Sequence, residues 1–225
     1  MKMKTKVIVI GGKGTAVNVA EQIIDAADRG LDIEFLGFAF DEPSFNGSIN
    51  GLPILCGTKE VYAKYGSMND VSFIFQMYRT DLMKERVILK ESYGIPLEKY
   101  HTFVHPNAVV SRSVQLGKGC VVLAGSVIMP NAVLGDFNSV LSCCTIGHDT
   151  VLGDHNLFAT HVAMGSGCRI GDRNFFGMNC TINTRAVIGD DCFVGMASNV
   201  IRDLPSSSKV KGNPAKEYDG PVKPL

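Results

Sequence analysis

The 225-residue chain carries no excess of charge of either sign: Lys+Arg and Asp+Glu both total 22, so the formal net charge is zero. Such a balance supplies no long-range field to draw in nucleic acid or an anionic membrane surface. No apolar run reaches the roughly 18 residues of a membrane-spanning helix, which argues against membrane insertion. The opening MKMKTKVIVIGG has too short an apolar stretch for a signal peptide and runs straight into a strand-like segment, so a cytoplasmic protein is expected. Seven cysteines are present, but there is no C-x-x-C pair. An odd count without a secretion signal points to reduced thiols rather than a disulfide framework.

What the chain does have is a rhythm. From Val104, an apolar residue recurs every sixth position through Val110, Leu116, Val122, Ile128, Leu134, Val140, Ile146 and Leu152. It continues through Phe158, Met164, Ile170, Phe176, Ile182, Ile188, Val194 and Val200, giving 17 anchors in phase. Glycine follows the anchor in nine hexads, among them Gly117, Gly147, Gly165 and Gly177. Four residues after each anchor comes a mostly small side chain, and five of the seven cysteines (Cys120, Cys144, Cys168, Cys180 and Cys192) occupy that position. Spacings in multiples of six suit packing, not chelation, so these thiols read as small buried fillers. The pattern specifies a left-handed parallel β-helix, a prism of three short sheets with about 18 residues per coil. Anchors fill its interior, and glycine is expected to relieve the tight turns. No long loop interrupts the coils, and the flat outer faces invite association, with trimers the usual outcome for this architecture.

Residues 1–100 follow a different grammar. Strand-like segments at Lys6 to Gly12, Ile33 to Phe38 and Val71 to Met77 alternate with helical ones at Thr15 to Arg29, Thr58 to Tyr65 and Thr80 to Tyr93. That alternation implies a small Rossmann-like α/β domain with a parallel sheet. The expected organisation is this domain over 1–100, the β-helix over 101–203, and a C-terminal extension over 204–225 that breaks the hexad. Gly11-Gly12-Lys13-Gly14, after the first strand, is a phosphate-cradle candidate, because main-chain N–H groups at a helix start favour anions. Val17 stands where a G-x-G-x-x-G motif has its third glycine, so a structural turn and a ligand loop both remain open.

The five histidines are His101, His105, His148, His155 and His161. A γ-type carbonic anhydrase, also a β-helix, needs a histidine pair five residues apart and a third upstream. The nearest spacings here are four, six and seven, so no metal site is expected. His148 in Thr145-Ile146-Gly147-His148-Asp149 stands two residues after an anchor, at or near a corner. A neutral imidazole there can take a proton from an attacking amine or hydroxyl, and Asp149 can fix its tautomer.

KVIVIGGKG, GLPILCGT, VHPNAVVSRSVQLGKG, TIGHDTVLGD, CRIGDRNFFGMNCTI and KGNPAK together resemble the bacterial sialic-acid O-acetyltransferase (NeuD-type) family. That family includes N-acetyltransferases of nucleotide-linked 4-amino sugars. The resemblance implies a homotrimer with acetyl-CoA bound between neighbouring β-helices, and direct attack of a sugar or nucleotide-sugar acceptor on the thioester for surface-glycan synthesis. It implies His148 as general base oriented by Asp149, Gly165, Ser166, Gly177 and Met178 against the cofactor, and Gly11, Gly12, Lys13 and Gly14 against the acceptor's phosphates. The chain departs from the family pattern at Thr15, Leu141 and Leu157, where His, Asn and His are expected. It departs again at Phe75-Gln76-Met77-Tyr78-Arg79, where the third strand of the family ends in an Ile-Gly-Asp-Asn-like loop. These departures fall on acceptor-facing positions, leaving acetyl transfer better supported than any particular sugar. An O-acetyltransferase of sialic acid and a non-catalytic trimeric sugar-nucleotide scaffold are the alternatives.

Overall fold

The computed structural model describes residues 4–222. Residues 1–3 and 223–225, the outermost of the expected first domain and extension, lie outside the described residues. The chain begins with β1 (Thr5–Ile10), α1 (Thr15–Asp28), β2 (Ile33–Ala39), β3 (Ser48–Ile49), β4 (Leu52–Cys56), α2 (Val61–Tyr65), β5 (Val71–Phe75) and α3 (Met83–Ser92). Their sheet has the order β3-β4-β2-β1-β5, parallel throughout except for the β3–β4 pair. β1 lies between two neighbours, so Val7 to Ile10 are fully buried. α1 covers the sheet with Ala16, Val19, Ala20, Ile23 and Ala26, a spacing of three and four that puts them on one face.

Two features differ from expectation. The β3–β4 hairpin turns through Asn50-Gly51, both with positive φ, a pair suited to a two-residue hairpin turn. Its strands are too short, and interrupted by Pro53, to show a period. α2 also starts later than Thr58, because Thr58 is bound elsewhere: its N–H and hydroxyl donate to Asp41 at 2.9 and 2.6 Å.

From Phe103 onward two-residue strands recur every six residues and stack in three parallel sheets. This is the left-handed β-helix, preceded by the α/β domain. One face carries the anchors Val104, Val122, Val140, Phe158, Phe176 and Val194. The second carries Val110, Ile128, Ile146, Met164, Ile182 and Val200, and the third Leu116, Leu134, Leu152, Ile170 and Ile188. The five in-phase cysteines are buried inside, and burial pushes the Cys120 and Cys180 thiols up to about 12 and that of Cys144 up to about 11. The S–H groups of Cys120, Cys144, Cys168 and Cys192 point at main-chain carbonyls, as in Cys144 to Ala159 O at 3.0 Å.

The glycines after the anchors do not relieve the turns. None has positive φ; the left-handed residue is instead the third after each anchor from Leu116 to Val194, as at Asn131, Asp149, His155, His161, Asn179 and Asp191. Asn, Asp and His tolerate that conformation better than most side chains. The glycines answer to coil stacking: a Cβ on Gly147 would lie 2.5 Å from the main chain of Gly165, and one on Gly177 2.6 Å from Met196 N.

The tail also differs from expectation. Leu204 bridges Ile188 in parallel, and the strand Lys209–Lys211 stacks on Phe193–Val194, so the prism continues past residue 203. The phase slips because the step from Val200 to Leu204 is four residues, not six; six-residue spacing then resumes to Val210, and both Leu204 and Val210 are buried. The strand Lys216–Glu217 folds back on it as a hairpin.

The first domain covers one face of the prism. There the outward residues Phe103, Val121, Leu157 and Phe175 are buried in the same core as β1 and β5, whereas Val109 on the second face is 61% exposed. Polar bonds fix the docking: Gln22 spans Ser142 Oγ and Ala124 N, and His105 Nε2 meets Asp25 Oδ2 at 2.9 Å. His155 lies in this interface, stacked on Phe137 at 4.8 Å. Tyr78 gives its one hydroxyl proton to Phe137 O, so the 3.2 Å contact with His155 Nδ1 requires that nitrogen to donate.

Burial, helped by the charges of Lys90 and Arg173, drives the His155 pKa down to about 3. A folded pKa below the unfolded value means that stability is complete above about pH 6.5 and is lost on acidification, by about 1.4 kcal/mol per pH unit. Urea denaturation between pH 7 and 5 should therefore show a steeper loss for the wild type than for His155→Asn. Equal slopes would mean that folded His155 accepts the proton.

Candidate active site

His148 and Asp149 stand on the corner that follows Thr145–Ile146, between the second and third faces. Both side chains are exposed, at 57% and 55%, with His148 Nδ1 2.6 Å from Asp149 Oδ2. An ionised carboxylate only accepts, so Nδ1 carries the hydrogen in the neutral ring and Nε2 presents its lone pair to solvent. Bonds from His148, then from Asn131, hold the Asp149 carboxyl below its ordinary pKa.

The pair is braced from both sides. Asn131 Nδ2, one coil earlier, donates to Asp149 Oδ1 at 3.0 Å, and Arg169 Nη1 donates to Asp149 O at 2.8 Å. Gly167 N, one coil later, donates to His148 O at 2.8 Å. An open hollow of about 680 Å³ adjoins the pair, lined further by Ser166, Thr184 and Arg185.

The other expected site residues are distributed over the molecule. Gly165 lies one coil beyond Gly147, and Ser166 is in the hollow itself. Gly177 and Met178 follow a strand of the covered face, so they stand on a different corner, where Met178 is exposed. Gly11 to Gly14 line a separate cavity of about 540 Å³ with Phe40, Gln76, Arg86 and Leu157. In that loop Gly11 and Gly12 have structural reasons: a Cβ would press Gln76 O at 2.8 Å in one case and the Phe40 ring in the other. Lys13 is ion-paired with Glu42. Of the departures, Leu141 and Leu157 belong to the core between the domain and the prism. One chain thus brings together the dyad and Ser166, but not the glycine loop or the Gly177-Met178 corner.

Asn131 and Arg169 were not among the expected residues. Asn131 precedes Asp149 by 18 residues, one full coil, and the coil period applied to polar positions would have found it.

A family model described as the hexapeptide repeat of succinyl-transferase matches residues 106–130 and 167–198. The acetyltransferase domain of PglB from Neisseria gonorrhoeae FA1090 superposes with a TM-score of 0.80 at 25% identity, covering 96% of this chain and 100% of that one. Perosamine N-acetyltransferase from Caulobacter crescentus, solved with a histidine replaced by asparagine and with CoA and GDP-perosamine, gives 0.79 at 25% identity over 96% and 97%. This chain is an acyltransferase with the hexapeptide-repeat β-helix fold. WeeI from Acinetobacter baumannii AYE shares the fold of this acyltransferase, with a TM-score of 0.77 at 22% identity over 95% and 100%. No curated protein sequence matches it. Among its described residues no helix is long and apolar enough to cross a membrane.

Proposed function

We propose that this acyltransferase is an acetyl-CoA-dependent N-acetyltransferase of a nucleotide-linked amino sugar, with His148 as general base. The observation that carries the reading is the His148–Asp149 pair, its Nε2 unoccupied at the rim of the hollow. Asp149 fixes the tautomer and offsets the positive charge that His148 gains on taking the acceptor's proton. Acetyl-CoA supplies the activated thioester when bound. The hollow suits it: Ser166 and Thr184 offer polar contacts, while Arg169 and Arg185 bring positive charge for phosphates. PglB has been solved with acetyl-CoA and the perosamine enzyme with CoA and GDP-perosamine, which supports the same two ligand classes here. Proximity and proton transfer are the protein's contributions, with no acyl-enzyme.

The split of the site residues over two corners and a separate cavity supports a homotrimer. In it one copy's His148 corner faces a neighbour's Met178 corner, and Gly11 to Gly14 hold the acceptor. The test is CoA release, followed with a thiol reagent, on UDP-, GDP- and dTDP-linked amino sugars and on sialic acid. Turnover with an amino-sugar nucleotide is expected. Turnover with sialic acid alone would convert the reading to O-acetylation, and no turnover together with no acetyl-CoA binding would leave only a scaffold.

A further inference from the structure

Lys90, in the last turn of α3, is half-buried and reaches from the first domain to the prism. Its Nζ stands 3.8 Å from the centroid of the Phe137 ring and 5.8 Å from that of Tyr100. Phe137 is itself stacked on His155, so ammonium, ring and imidazole form a column across the interface, and the charge of Lys90 helps to keep His155 neutral. An ammonium has three N–H groups to place. Among the described residues no oxygen takes them: Asp136 and Asp154 lie within the field of Lys90 but beyond ion-pair reach. The buried Tyr100 hydroxyl, which has no partner of its own, does not reach it either.

Other lysines are held differently. Lys6, Lys13, Lys64 and Lys84 are ion-paired. Lys99 Nζ donates to Met68 O at 2.8 Å, and Lys59 and Lys216 are exposed to water. Each of these settings favours the ammonium, which has no lone pair to attack with. Lys90 is denied both a counter-ion and full hydration. The ring faces recover part of that loss, but burial still holds its pKa below the ordinary lysine value. A desolvated lysine is the amine most easily turned into a nucleophile.

We propose that Lys90 is a site of acetylation by acetyl-CoA, and that the amide so formed loosens the hold of the first domain on the prism. The neutral Nζ attacks the carbonyl carbon of the thioester. A C–N bond forms, the C–S bond breaks, and the proton lost by nitrogen goes to the departing CoA thiolate. No further reactant is needed. The amide carries no charge, so Phe137 loses its cation and His155 loses one of the charges that keep it neutral. Only the donor is required, so the proposal stands whatever the acceptor is.

Peptide mass spectrometry on the full chain, incubated with acetyl-CoA alone, tests this. Acetyl groups should accumulate on Lys90 at least about tenfold faster than on Lys59 or Lys216, the factor in neutral amine that one pKa unit gives. His148→Ala should be labelled at Lys90 at the wild-type rate, because the attack uses no base from that corner. Once Lys90 is modified, the unfolding equilibrium constant in urea should rise by about tenfold, the scale of one lost desolvated cation–ring contact. Lys90→Gln, which resembles the acetylated side chain, should show that loss before any acetyl-CoA is added. Lys90→Arg keeps a cation over the ring, so it should unfold as the wild type does and stay unaffected by acetyl-CoA. Labelling of Lys90 no faster than that of Lys59 would overturn the site. Loss of the label in His148→Ala would overturn direct attack. Full acetylation of Lys90 with an unshifted urea transition would overturn the effect on docking.

Discussion

His148→Ala should lower kcat by at least about a hundredfold, the lower range for loss of a general base, and leave the affinity for acetyl-CoA unchanged. The expectation follows from geometry. His148 is exposed, its Nδ1 is committed to Asp149, and its main-chain carbonyl is tied to the next coil, so removing the imidazole removes a proton acceptor and little packing. A loss confined to kcat is the signature of an interaction made only while the acceptor loses its proton. Asp149→Asn should retain the ring but free its tautomer, giving a smaller loss, and Asn131→Ala a smaller one still, because Asn131 only aims Asp149. Single-turnover kinetics with saturating acetyl-CoA separate chemistry from product release. An unchanged rate for His148→Ala would remove this residue from its role. A fall in acetyl-CoA affinity equal to the fall in rate would make it a binding residue instead.

The prism is legible in the sequence because its interior demands one apolar residue per six, and side chains on three equivalent faces cannot break that demand. The same period hides what distinguishes the faces. At the position before each anchor, the covered face reads Phe103, Val121, Ser139, Leu157, Phe175 and Phe193, and the second face Val109, Val127, Thr145, Ala163 and Thr181. Only a period of 18 separates these sets, and it is also the period that ties Asn131 to Asp149. The meaning of the glycines was hidden for another reason: a left-handed turn and a close coil contact both call for glycine, and only the dihedral angles decide between them. The tail escapes the period because its two-residue slip ends the hexad in sequence without ending the stack. The glycine loop stays ambiguous in sequence because Gly11 and Gly12 are required by packing, while the open donors at the start of α1 are main-chain groups that carry no residue signature.

Phe176→Ala should destabilise the fold by about 3–5 kcal/mol, the range for truncating a buried aromatic ring. Phe176 and Phe158 are fully buried and stacked, with centroids 4.7 Å apart and planes 13° apart, in a column continued by Val140 and Val194. The cost should lie toward the top of the range because the coils cannot close over the void. Their separation is set by main-chain bonds on each side, Ala159 N to Phe176 O at 2.9 Å and Gly177 N to Val194 O at 2.8 Å. It is set also by the contact that admits no Cβ at Gly177. A helix in a bundle can shift to fill such a gap; a coil held in a ladder has neighbours fixed above and below. Phe176→Leu, which refills much of the volume, should recover more than half of the loss. Urea denaturation decides the matter: a loss under about 1 kcal/mol would show that the coils do relax, and that side-chain volume, not the ladder, spaces them.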